Sequence, residues 1–195
     1  MVTLITRIVG RWSDSGVIEK SNEDVYIYGL DLLLFSVLNI ITILILSVIF
    51  NKLIESVVML ITIIPLQAYG GGYHAKTHFR CFLIMIVGWF IVVHLLPYIT
   101  PVISLIVCFV SVLIVFLLAP VSHANVKMSI KHMLKLRIYV RIIVIGVAVA
   151  SMMLVIFISD YTEYGIILSI GLGIVAISML CAYCLNLVNQ YKLRI

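Results

Sequence analysis

The sequence predicts an all-α, polytopic integral membrane protein: about six transmembrane or membrane-embedded helices, plus an N-terminal amphipathic helix in the membrane interface. Three observations carry that prediction. Of 195 residues, 64% are hydrophobic and only 11% are charged, whereas soluble domains carry about 25% charge. Apolar runs recur that are long enough, at ~1.5 Å per residue, to cross a hydrocarbon core of ~30 Å. The basic residues gather in alternate connections, as topology in a membrane requires.

Residues 2–12 place Val2, Ile5, Ile8 and Val9 on one helical face, with Arg7 and Arg11 elsewhere. This is the pattern of a helix lying in the interface. The start lacks the charged stretch, short apolar core and small-residue cleavage site of a secretory signal. Residues 13–30 read as a polar linker. Spans follow at 31–50, 82–99, 102–119, 138–159 and 164–186, and a shorter run at 53–66 begins near Glu55 and reads as tilted, broken or re-entrant. Pro97 and Pro101 bracket one turn, and Pro120 ends the fourth span, counting the short 53–66 run, because it cannot sit inside a helix without losing a hydrogen bond. Gly146/Ala150 and Ser169/Gly173 are small-residue pairs that let helices approach. The whole of 1–195 reads as a single membrane-embedded domain: 1–30 an interfacial helix and linker, 31–186 a helical bundle, and 187–195 a cytoplasmic tail.

Thirteen Lys and Arg against eight Asp and Glu leave a net charge of +5. Six spans with both termini inside put every basic residue but Lys52 on the cytoplasmic side of the cell membrane, together with the 67–81 connection. In that reducing compartment Cys81 stays a thiol. Cys108 falls mid-span, Cys181 and Cys184 read as packing residues near the end of the last span, and His94 reads as a buried polar contact. Glu55, near an outer span end, reads as a snorkelling acid.

The chemistry concentrates in Leu66–Cys81, which holds three consecutive glycines, two histidines and a cysteine. Three glycines cost a helix roughly 1 kcal/mol each, so they mark either a break that brings backbone close to a bound chain or a plain flexible turn. His74, if within reach, can take the proton of Cys81 and return it to a leaving amine, with Lys76 and Arg80 putting positive charge beside the pair. An interfacial histidine and a buried cysteine with no joint chemistry are the alternative reading. On one straight helix the two would stand ~10.5 Å apart along the axis. A working pair therefore needs a bend between them, or a second subunit. A zinc reading stands beside this one, because His74, His78 and Cys81 at i, i+4 and i+7 would stack three ligands on one helical face. Gln67, Ser122, His123 and Asn125 are candidate orienting or oxyanion groups. The basic residues from Lys127 to Arg141, Lys131 and Lys135 among them, either bind anionic lipid headgroups or hold an acidic peptide tail.

Gly71-Gly72-Tyr73-His74-Ala75 followed by Cys81 resembles the signature of the accessory gene regulator protein B (AgrB) family of quorum-sensing membrane peptidases. The length, six apolar segments, amphipathic start and an Ala119-Pro120-Val121-x-x-x-Asn125 element extend the resemblance over essentially the whole chain. Gln67 departs from the arginine common in relatives, Ser122 from their acid, and Ala124 from their proline. The resemblance implies a cysteine endopeptidase that removes the acidic tail of an AgrD-type propeptide. His74 and Cys81 are catalytic, and Gln67, Gly71, Gly72, Ser122 and Asn125 are supporting or oxyanion candidates. Lys76, Arg80, Lys127, Lys131 and Lys135 are candidates for binding the tail. The acyl-enzyme thioester would then be captured by a side chain of the peptide, closing a thiolactone or lactone. The partners implied are the propeptide, membrane lipid and a second copy of the chain. No cofactor, metal or nucleic acid is expected. An export subunit for a small peptide is the reading from another class, but it would call for charged groups paired mid-span.

Overall fold

The computed structural model of the protein describes residues 2–73, 77–121 and 130–192. Seven α-helices run through them: α1 (Val2–Asp14), α2 (Glu23–Ile49), α3 (Leu53–Gly70), α4 (His78–Leu95), α5 (Pro101–Leu118), α6 (Ile130–Phe157) and α7 (Thr162–Lys192). No strand occurs among the described residues. The last six are long and apolar enough to cross a membrane, and the chain is a multi-pass membrane protein. The 53–66 run is an unbroken 18-residue helix that continues through Pro65 to Gly70, so it has the length of a span.

The bundle has two ends. One, here the glycine end, carries the ends of α3 and α5 and the beginnings of α2, α4 and α6. The opposite end carries three short connections. The first turns at Asn51, whose φ of 54° suits asparagine better than most residues. The second runs from Leu96 to Thr100, where the Thr100 hydroxyl caps α5 by accepting from the Ile103 N–H at 3.3 Å. The third spans Ser159–Tyr161. Lys52 ties two of them together, its Nζ lying 2.7 Å from Glu55 and 3.5 Å from Glu163. Glu55 is therefore held in an ion pair rather than snorkelling alone.

α7 is the central helix. Of its most apolar stretch 61% is buried, against 11–39% in the other five spans, and it packs against α3, α5 and α6. Its glycines make this possible, each opening a different side. A Cβ on Gly165 would stand 2.8 Å from the Ser151 carbonyl of α6, one on Gly171 2.9 Å from Thr62 of α3, and one on Gly173 3.1 Å from Val107 of α5. Close backbone approach of this kind is what small residues contribute where no hydrophobic effect drives helices together. Between α6 and α7 the hydroxyls of Ser151 and Ser169 meet at 2.6 Å and Ser151 donates to Gly165 O at 2.8 Å. Cys108 of α5 is buried against these two serines.

Several expectations change. Ser169/Gly173 does join helices, but Gly146 and Ala150 face outward and a side chain on Gly146 would meet nothing. Most of 13–30 is not a linker. After a turn at Gly16, α2 starts at Glu23, because no proline or glycine pair interrupts the run into the span. The apolar face of α1 is not left to lipid alone. Ile5 and Val9 are fully buried with Ile18 against Ile27 and Leu30. His94 is exposed, bonded to the Phe90 carbonyl at 2.9 Å and stacked on the Phe90 ring, since its own helical turn satisfies it. Cys181 and Cys184 are exposed, because they fall on the side of α7 turned away from its neighbours.

Candidate active site

The three glycines end one helix and anchor the chain beyond it. Gly70 closes α3, and Gly71 leaves it with φ 72° and ψ −174°, a conformation that L side chains rarely adopt. The Gly71 N–H still reaches back to the Gln67 carbonyl at 3.0 Å. Each glycine faces something that a side chain would strike: Gly70 faces the Met179 methyl, Gly71 the Val121 carbonyl oxygen, and Gly72 the Ser178 hydroxyl at 2.6 Å. The break is thus a fitted joint, in which the close approach is to Met179, Val121 and Ser178 of the chain itself.

Two further segments complete the joint. Val121 donates its N–H to Gly70 O at 2.9 Å, and Tyr73 donates its N–H to both Ser178 Oγ at 2.9 Å and Ser178 O at 3.1 Å. The Gly70–Tyr73 and Ala119–Val121 motifs, far apart in the chain, therefore meet each other, and the first of them is anchored on α7. The peptide bond between Ala119 and Pro120 is cis. Sequence reasoning missed Ser178 and Met179, because a serine and a methionine in an apolar helix carry no signal of what they will face.

α4 then begins at His78. Thr77 is extended (φ −131°, ψ 142°) and its hydroxyl accepts from the Arg80 N–H at 3.4 Å, the usual service of an N-cap. Cys81 lies in the first turn, half-buried, its N–H bonded to Thr77 O at 3.2 Å. The helix that carries His78 and Cys81 therefore does not run back through Thr77.

The other candidates divide as follows. Gln67 is half-buried, one turn before the break. Arg80, Lys131 and Lys135 are exposed at the glycine end. Lys135 Nζ sits 5.8 Å from the centroid of the Tyr139 ring, which in turn packs on Tyr69 of α3 at 5.9 Å. Arg141 lies 5.1 Å over Phe116. Val140 contacts the level of Gly70, so the first ten residues of α6 project ~15 Å past the break at 1.5 Å per residue. His74, Lys76, Ser122, His123, Asn125 and Lys127 lie outside the described residues.

The family comparison meets this geometry at its two motifs. Residues 4–184 match the accessory gene regulator B family. The chain belongs to the AgrB family. No curated protein and no solved structure matches it. Both segments of the joint, Gly70–Tyr73 and Ala119–Val121, fall inside the AgrB match, as does Cys81. Membership in AgrB gives the protein its broad role, processing an AgrD-type quorum-sensing propeptide in the membrane.

Proposed function

We propose that this AgrB protein is a cysteine endopeptidase, with Cys81 as nucleophile and His74 as its base. In this mechanism the imidazole takes the Cys81 proton and the thiolate attacks the carbonyl carbon that precedes the acidic tail. The C–N bond breaks, the imidazolium protonates the leaving amine, and the tail departs. The peptide is left on Cys81 as a thioester. A thiol or hydroxyl of the peptide then attacks that thioester, its proton returns to Cys81, and a thiolactone or lactone closes. Water must be kept from the thioester meanwhile, a condition suited to a half-buried sulfur at the start of a membrane helix.

The observation that carries this reading is the fitted joint at Gly70–Tyr73. It holds the residue before His74 with two hydrogen bonds to Ser178, while Thr77 restarts the chain as α4 with Cys81 in its first turn. A helix start favours negative charge by its dipole, which suits a thiolate there. Lys131 and Lys135 on the projecting start of α6, with Arg80, are suited to an acidic tail. The charge distribution supports a cytoplasmic glycine end and cytoplasmic termini, and we infer a homodimer as the working form. The test is cleavage of the cognate AgrD-type propeptide by membranes carrying wild type, Cys81→Ala or His74→Ala. The reading requires both variants to insert normally and to leave the propeptide intact, with the wild-type enzyme forming a hydroxylamine-sensitive adduct on Cys81. Normal processing by either variant would overturn it.

A further inference from the structure

A peptide attacked by Cys81 must be held in register with the sulfur, and α2 carries an amide suited to do so. α2 turns Ile40, Ile43 and Leu46 to the core. Asn39 lies one turn before Ile43, hence on the same face. Its Oδ1 is buried and has no hydrogen-bond partner. Such an orphaned acceptor costs about 1–3 kcal/mol, and an apolar helix would be more stable with leucine there. A buried polar group unsatisfied within the fold calls for a ligand or another explanation.

Its depth suggests which ligand. The Phe50 ring packs on those of Trp89 and Phe90 at 5.9 and 5.1 Å, and Trp89 Nε1 donates to Ser56 Oγ at 2.7 Å. These contacts mark one common level on α2, α3 and α4. Counted from it toward the glycine end at ~1.5 Å per residue, Asn39 and Gln67 each lie ~16 Å away and Cys81 ~12 Å. All three fall within about one helical turn of each other, on helices that pack together, α2 against both α3 and α4.

We propose that Asn39 is a positioning residue that binds the backbone of the propeptide, resting on the peptidase reading above. In an extended strand the N–H and C=O of one residue point to the same side. A carboxamide matches that pair, Oδ1 accepting the N–H and Nδ2 donating to the carbonyl. The recognised chemistry is extended main chain, so the contact holds the scissile segment in register with the thiol while leaving side-chain choice to other groups.

The experiment uses the full-length protein in nanodiscs and the cognate propeptide, comparing wild type, Asn39→Leu, Asn39→Ala and Cys81→Ala. Both Asn39 variants should raise KM about ten-fold, the worth of one hydrogen-bonded contact, with kcat changed less than about three-fold. Asn39→Leu, without propeptide, should melt at the wild-type temperature or above it, because the orphaned oxygen is gone. An unchanged KM in both variants overturns the proposal. So does a raised KM accompanied by a lower melting temperature in Asn39→Leu, which marks an amide serving the fold. Cys81→Ala separates the two levels: if it still processes, the peptidase reading fails, and the KM of the Asn39 variants still reports whether that amide holds peptide.

Discussion

Val121 gives its backbone N–H to the carbonyl oxygen of Gly70 across 2.9 Å, and the neighbouring Gly71 has no room for a Cβ because the Val121 carbonyl occupies that space. One short contact thus explains why a glycine run and a proline-bearing span end belong to the same motif. Together with Ser178 they make a rigid end to α3 from which the chain sets out toward His74.

Replacing Cys81 or His74 with alanine should lower propeptide cleavage by about three orders of magnitude or more, the scale on which lost catalytic dyads act. Immunoblotting of the membrane fraction should show unchanged insertion. His78→Ala should stay within about ten-fold of wild type, since the peptidase reading gives His78 no part in the Cys81–His74 chemistry. A collapse of activity in His78→Ala, reversed by added zinc, would speak for a metal instead.

Gly71→Ala should abolish processing and lower the melting temperature, because its strained φ alone costs of order 1–3 kcal/mol and the Val121 carbonyl cannot move far. Gly72→Ala meets only the tip of Ser178, at 2.6 Å. The double variant Gly72→Ala/Ser178→Gly should therefore recover part of the activity lost in Gly72→Ala. Ser178→Ala alone should cost about 0.5–1.5 kcal/mol, softened by the Ser178 carbonyl that also accepts from Tyr73. A double-mutant cycle in cleavage assays measures that coupling.

Two glycines with the same appearance in sequence should behave differently. Gly171→Leu drives a side chain into Thr62 of α3, and overpacking of that kind costs about 1–3 kcal/mol or more. Gly146→Leu points into open space and should leave the melting temperature of the detergent-solubilised monomer within about 2 °C of wild type. Equal losses in the two variants would mean that α7 is not the centre of the bundle.

Lys52 supplies a test at the opposite end. Its hydrogen bond to Glu55 and the charges of Glu55 and Glu163 raise its pKa above 10.5, against a smaller opposing effect of burial. Because the folded value exceeds the unfolded one, the stabilisation is fully present below pH 10.5 and is lost as pH climbs through the raised value. The difference in melting temperature between wild type and Lys52→Met should be small, level from pH 7 to 10, and vanish in more alkaline buffer. A half-buried pair at a helix end, still open to water, contributes about 1 kcal/mol or less.

By itself the sequence determined the class of molecule, because crossing a membrane demands runs of apolar residues, and runs are visible in one dimension. It also pointed to the residues proposed to carry the chemistry, since a cysteine, a histidine and a glycine break stand out against an apolar background. Only the tertiary structure decided what the glycines are for. The atoms they make room for belong to Val121, Ser178 and Met179, which sit in other helices and look ordinary there. The same holds for Gly171 and Gly146, alike as letters and opposite in use, and for Asn39, whose buried Oδ1 meets no hydrogen-bond partner in the fold. Steric fit and hydrogen-bond satisfaction are relations between segments, and the chain must close on itself before they take effect.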